Sequence, residues 1–294
     1  MSVALAAEWL ARRVGGGGRA LLSGCLDLGF DALIPETLGG AQFLNLVPEL
    51  EDFPVKIPAV RVSPEVEGVG LGLCGKDEES FLATQAEVQK AAQLGTKLGT
   101  PLILLEAPLV DLGAGSLEKG EIGGEGSLIA SEDYQSLRSR LLKRRDSLLD
   151  RCCRRLHSLA RSFPEHRFGL LEAGNFASLS GLEDLELIFS DLKGSVDLGY
   201  WHRPSVVRFR EELGGAQGGD VLETLSKYLI GTDLSDFDGE GIFGLPGSGG
   251  VDYGALRPYI RGSNFSLPAY LGPSFQVPPG EIKRVRGFLQ KFGF

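Results

Sequence analysis

The sequence predicts an α/β fold, a (β/α)8 TIM barrel formed as a single domain over residues 1–294. Three observations carry that expectation. Short apolar runs alternate with amphipathic stretches from one end of the chain to the other, the pattern of strands buried beneath helices. The chain length is close to the roughly 250 residues typical of such a barrel. No Pro/Ser-rich linker divides the chain, and it shows no internal repeat beyond the alternation itself.

Taken in order, Ser2 to Ala7 reads as a first strand. Arg19 to Leu28 reads as a helix closed by Gly29, leading into an apolar strand at Phe30 to Ile34. Val55 to Val62 is β-like, broken by Pro58 and ended by Pro64. Lys76 to Leu98 is the clearest helix, with Phe81, Ala86 or Val88, Ala91 or Ala92, and Leu94 at helical spacing and Gly99 placed to end it. Pro101 to Glu106 is a buried strand that ends on a carboxylate, and a Gly-rich loop follows at about residues 109–130. A loop of that length in a compact domain is either functional or simply mobile.

Leu137 to Leu159 is a second strong helix, with an apolar stripe opposite Arg138, Arg140, Lys143, Arg144, Arg145, Arg151, Arg154 and Arg155. That basic face reads as a solvated outer surface or as a patch for a partner or anion. Phe168 to Glu172 reads as a strand, Leu182 to Leu192 as a helix and Gly194 to Leu198 as a strand. Val221 to Tyr228 is helical and Leu229 to Leu234 a strand. Helices at Tyr253 to Arg261 and Gly280 to Phe292 flank a last strand near Ser266 to Tyr270.

Composition narrows the function. Hydrophobic residues make up 43% and charged residues 23%, enough apolar material for one large core. The net charge of −9 argues against a broad nucleic-acid footprint, which needs clustered Lys and Arg to displace counterions. No run approaches the ~18 apolar residues of a membrane span, and Met1 to Ala7 lacks the basic start of a secretory leader. Cys25, Cys74, Cys152 and Cys153 show no CxxC spacing and read as reduced, mostly buried thiols. A cytoplasmic protein is expected, with no membrane partner; an oligomer is left open.

Several strands end on acids: Glu106, Glu172, Asp197 and the run Asp233-Leu234-Ser235-Asp236. Parallel strands all point one way, so these acids are expected on the face where barrel enzymes keep their sites. Converging carboxylates repel unless a cation or proton intervenes, and oxygen-rich clusters suit Mg²⁺ or Mn²⁺, with a His tilting the choice to Zn²⁺. Such acids also cap helices, which is the alternative for any one of them.

The segments Leu171-Glu172-Ala173-Gly174-Asn175, Asp197-Leu198-Gly199-Tyr200 and Asp233-Leu234-Ser235-Asp236-Phe237-Asp238-Gly239 come in the order and spacing of xylose-isomerase-like barrels. Leu245-Pro246-Gly247-Ser248-Gly249-Gly250-Val251-Asp252-Tyr253 resembles that family's PGEG-x-(I/V)-D-(F/W/Y) stretch. Leu26-Asp27-Leu28-Gly29-Phe30-Asp31-Ala32 resembles its A-x-x-G-F-D opening. The resemblance covers nearly the whole chain and implies a sugar isomerase or epimerase with a divalent metal (Mg, Mn or Zn) held by Glu, Asp, His and Glu. Carried over, it places Glu172, Asp197 and Asp233 at the metal, the last where the family has His. The family's D-T-G-H histidine is Tyr200, with His202 nearby, and its H-x-P histidine is Val62. The fourth ligand has no counterpart, because residues 262–279 contain no acid. With only His157, His166 and His202, the chain also lacks the histidines of the related multi-zinc endonucleases.

The resulting expectation is an enzyme acting on a small sugar, polyol or keto acid, with Glu172 or Glu106 as base and Tyr200, Trp201, His202 and Asp236 around a sugar-like ligand. The alternatives are a barrel that binds a ligand or partner without turnover, its metal site lost, and an unrelated reaction in the same cavity.

Overall fold

The computed structural model describes residues 3–63, 69–113, 116, 132–239, 241–261 and 267–294. The greater part of the Gly-rich stretch at 109–130 lies outside them. The strands are β1 (Val3–Ala6), β2 (Ala32–Ile34), β3 (Val60–Arg61), β4 (Leu102–Glu106), β5 (Arg167–Leu171), β6 (Leu198–His202), β7 (Leu229–Asp233) and β8 (Ala269–Leu271). They form one eight-stranded sheet in the order β2-β1-β8-β7-β6-β5-β4-β3, every neighbouring pair parallel.

The seam between β2 and β3 is joined by two isolated bridges, Ala32 with Lys56 and Glu36 with Arg61. At the second, the Arg61 amide donates to the Pro35 carbonyl (2.9 Å) and the Thr37 amide to the Arg61 carbonyl (3.0 Å). The fold is a single (β/α)8 barrel closed at that seam.

Helices α1 (Ala7–Val14), α2 (Gly18–Asp27), α3 (Gly40–Phe43), α4 (Glu78–Leu98), α5 (Glu132–Ser162) and α6 (Leu182–Asp191) cover the first half of the barrel and continue past β5. They are followed by α7 (Pro204–Glu212), α8 (Gly218–Leu225), α9 (Tyr253–Ile260) and α10 (Pro279–Lys291). Local chemistry explains the ends of α4. Asp77 accepts the Ser80 amide at 2.7 Å as N-cap, and Gly99 takes a left-handed φ of 75° after the last turn.

Two expectations are corrected. Residues 194–197 are not a strand, and only Leu198 of the expected run belongs to one. Gly194 (φ 77°) turns the chain after α6, and the run Leu198-Gly199-Tyr200-Trp201-His202, buried from its second residue on, supplies β6 instead. The helix α7, opened by Pro204 at its first turn, was not expected from the sequence. Its N-cap is Arg203, which gives none of the usual Ser, Thr, Asp or Asn signal.

Four arginines of α5 reach loop carbonyls, whereas Arg145 pairs with Asp184 and the exposed Arg154 with Asp150 of its own helix. Arg140 donates to the Leu112 carbonyl (3.0 Å), Arg144 to Asp111 (3.0 Å), Arg151 to Cys74 (2.8 Å) and Arg155 to Gly72 and Gly75 (2.6 and 2.8 Å). These guanidiniums satisfy loop carbonyls that would otherwise lack donors. All four cysteines are free and buried. Among the described residues, no helix is long and apolar enough to cross a membrane.

Candidate functional site

Because every strand is parallel, their C-terminal ends open on one face, and there the charged side chains form a connected array. Arg61, at the end of β3, meets Glu106 of β4 at 2.7 Å and Glu36, just past β2, at 3.6 Å. Arg203, just past β6, meets the same Glu106 oxygen, Oε1, at 2.9 Å and Asp233 of β7 at 3.1 Å. Trp201 Nε1 donates to the other Asp233 oxygen at 2.7 Å. The Trp201 ring lies over Gly231, where a Cβ would come within 2.2 Å of it, so β7 needs glycine there. Arg61, Arg203, Asp233 and Trp201 are buried, while the side chains of Glu36 and Glu106 keep 18% and 15% exposure. Solvent therefore reaches this array through those two carboxylates. Tyr270 of β8 closes the ring beneath Arg61, whose guanidinium lies 5.9 Å from its centroid.

The array is incompletely satisfied, at the first three strand ends and at Arg203, whose Nε is buried without a hydrogen-bond partner. Glu8, in the first turn of α1, accepts the Glu36 amide through Oε1, while its Oε2 is shut off from solvent with no hydrogen-bond partner. Arg61 Nε and Ser63 Oγ are likewise buried without partners. Burial raises the Glu8 carboxyl from its ordinary range to about 8, and the neighbouring Glu36 charge pushes the same way. Burial also raises Asp233, against the pull of Arg203 and Arg61. Glu8 thus carries its proton at neutral pH, beside guanidiniums that hold other carboxylates.

Glu172 belongs to a different layer. It has the strand parity of Phe168 and Leu170, and lines a 460 Å³ cavity with Leu141, Phe176 and Arg210 on the helix side. Both of its oxygens are engaged. Oε1 accepts the Tyr200 hydroxyl, and Oε2 accepts the Arg203 amide at 2.9 Å. The Tyr200 oxygen also lies 2.6 Å from His202 Nδ1, and its ring packs edge-on to Phe189 of α6. Burial and the Glu172 charge together raise the Tyr200 phenol well above its ordinary value, so it stays a donor. His202 in turn borders a separate 330 Å³ cavity between α7, α8 and α9. Arg203 ties the two layers together, since its guanidinium also donates to the Glu172 carbonyl at 2.7 Å.

The structure therefore brings Glu106, Trp201 and Asp233 into the barrel mouth and places Glu172, Tyr200 and His202 behind it. Asp197 is corrected: it precedes β6, so it sits at the opposite end of the barrel, exposed and paired with Arg167 at 3.1 Å. Asp236 is fully buried and accepts three backbone amides, from Phe237 (3.0 Å), Gly247 (2.9 Å) and Val251 (2.9 Å). These bonds commit the carboxylate to organising the loop after β7. Glu172, Asp197 and Asp233 do not meet, and among the described residues no three His, Cys, Asp or Glu side chains are grouped to hold an ion. This donor set does not fit a divalent metal.

Sequence reasoning missed Glu8, Glu36, Arg61 and Arg203. The rule that found Glu106 would have found the first two, since each acid lies two residues beyond its strand. The arginines gave no such signal, because an isolated Arg at a strand end reads as surface.

No family model matches the sequence, and no curated protein matches it in sequence. Solved structures do match in shape. A 3-keto-D-glucoside 4-epimerase from E. coli superposes with a TM-score of 0.69 at 12% identity, over 99% of each chain. An L-ribulose 3-epimerase gives 0.70 at 13% identity, over 99% of this chain and 93% of the other. A xylose isomerase domain protein from Planctomyces limnophilus gives 0.61 at 13% identity, over 92% and 90%. At such identities the likeness speaks for architecture alone. The fold of this chain is that of the xylose-isomerase-like (β/α)8 barrels.

Proposed function

We propose that the barrel mouth binds a small sugar-like molecule bearing a carbonyl and moves a proton at the carbon beside it, in the manner of an isomerase or epimerase. The observation that carries this reading is the set of buried polar atoms without partners, Glu8 Oε2 and Arg61 Nε, in a charged array at the strand ends. A buried unpaired donor or acceptor costs about 1–3 kcal/mol, so a fold that keeps several at one mouth is shaped for a polar ligand. The neighbouring folds that act on keto sugars support the same substrate class.

In this reading Glu106, reached by solvent at the strand end, takes the proton from carbon. The electron pair moves to the carbonyl oxygen, which Arg61 and Arg203 stabilise as charge develops on it. Glu8 delivers its proton to that oxygen, giving an enediol; Glu106 then returns its proton to the former carbonyl carbon while Glu8 takes up the proton of the adjacent hydroxyl, which becomes the new carbonyl. Glu172, Tyr200 and His202 act by positioning Arg203.

The test is deuterium uptake from D₂O into a panel of ketopentoses and ketohexoses, followed by NMR. The expected result is exchange at the carbon next to the carbonyl for at least one ketose, slowed on the order of a hundredfold or more by Glu106→Gln. No exchange into any of them refutes the catalytic reading. The engagement of both guanidiniums by protein carboxylates favours a second reading, binding without turnover, which predicts a ketose-dependent rise in Tm with no exchange.

A further inference from the structure

The mouth alternates in sign across five strand ends: Glu36, Arg61, Glu106, Arg203, Asp233. Acids that converge on a barrel mouth repel one another unless a cation or a proton intervenes. Here that charge is supplied by the chain, at distances of 2.7 to 3.6 Å, and one oxygen of Glu106 is shared by both guanidiniums. A guanidinium stays charged at any working pH and offers directed donors, which an ion in the same place would not. Arg61 keeps one such donor, Nε, buried and without an acceptor.

The formal charges also bear on the ligand. Three carboxylates against two guanidiniums leave the array at −1, and Glu8 can only add to the negative side. A phosphate ester brings a further charge of about −1.5 to −2 and would enter against that sign. A neutral molecule carrying hydroxyls and a carbonyl would not.

We propose that Arg61 and Arg203 stand in for a divalent cation at this mouth, and that the ligand they serve is an uncharged ketose-like molecule rather than a phosphate ester. The proposal rests on the reading that the mouth binds a carbonyl compound, and it deepens that reading by removing the metal and setting the ligand's charge. The site then works identically in chelator, and its positive charge cannot be stripped from it.

The test uses the intact protein treated with a chelator and then titrated separately with Mg²⁺, Mn²⁺ and Zn²⁺. Tm is expected to stay within about 1 °C throughout, with no stoichiometric uptake in equilibrium dialysis. A saturable rise in Tm, or one ion bound per chain, overturns the inference whether or not any ketose binds. Calorimetric titration with D-fructose and D-fructose 6-phosphate decides the ligand class. Measurable binding of the neutral sugar, with the phosphate ester at least tenfold weaker, is expected; tighter binding of the ester overturns it. Failure of every sugar in the panel sinks the proposed function instead. Arg61→Lys keeps the charge without the fork and is expected to weaken D-fructose binding about tenfold, whereas Arg61→Met abolishes it with no rescue by the three ions. Rescue of Arg61→Met by a divalent ion, or no loss in either variant, counts against the guanidinium role. Should Arg61→Met fail to fold, the ion titration of the unaltered protein still decides.

Discussion

Replacing Glu8 with Gln gives the sharpest test of the electrostatics at the mouth. The unfolded chain binds the Glu8 proton with the ordinary carboxylate affinity of 4.5, whereas the folded chain holds it to about 8. A raised value means that the folded state takes up the extra proton, so the stability this group contributes is full at low pH and is lost as pH climbs through 8. With those two values, the change between pH 6 and pH 9 is close to two pK units. At 1.36 kcal/mol per unit that is a loss on the order of 3 kcal/mol from this residue alone. Gln keeps an oxygen to accept the Glu36 amide but has no proton to lose, so its stability should be flatter over the same interval by that amount. Urea denaturation of both proteins at several pH values, followed by circular dichroism, supplies the comparison. Parallel pH profiles for the two proteins would refute the reasoning, because they would show that Glu8 is ionised in the folded state at neutral pH.

Tyr200→Phe removes the donor to Glu172 and leaves Oε1 of a buried carboxylate unpaired. A loss of roughly 1.5–3 kcal/mol is expected in chemical denaturation, with no change in any divalent-ion response. Asp236→Ala leaves three loop amides without their acceptor and should cost on the order of 2–3 kcal/mol, with faster amide hydrogen exchange at Gly247 and Val251. Retained protection at those two amides would show that another group holds the loop.

Most of the barrel was legible because its strands are short apolar runs between well-marked helices. Gly99 and Asp77 mark the ends of α4 by chemistry that a sequence displays directly. The segment from Gly194 to Glu212 was harder. Val196 and Asp197 imitate the end of a strand, while the true strand holds Gly199, which has no side chain, and Tyr200 and His202, whose polar tips disguise buried positions. That shift of a few residues moved Asp197 from the mouth to the far end and hid Arg203. The acids of the mouth were half legible: Glu106 and Asp233 end their strands visibly, and Glu8 and Glu36 follow the same rule two residues later. Which way a side chain turns was not legible, and Glu172 shows it. Its place after β5 is as expected, but strand parity and the pull of Tyr200 and the Arg203 amide turn it toward the helices.

The bridge between Glu36 and Arg61 has a consequence for how this protein can change over time. The backbone of Arg61 joins the last two staves of the barrel, and its side chain reaches into the mouth. A substitution there is judged at once on whether the wall stays shut and on what the opening accepts. Such a position has little room to drift, so new specificities should arise at Tyr270 or in the loops before they arise at the joint itself.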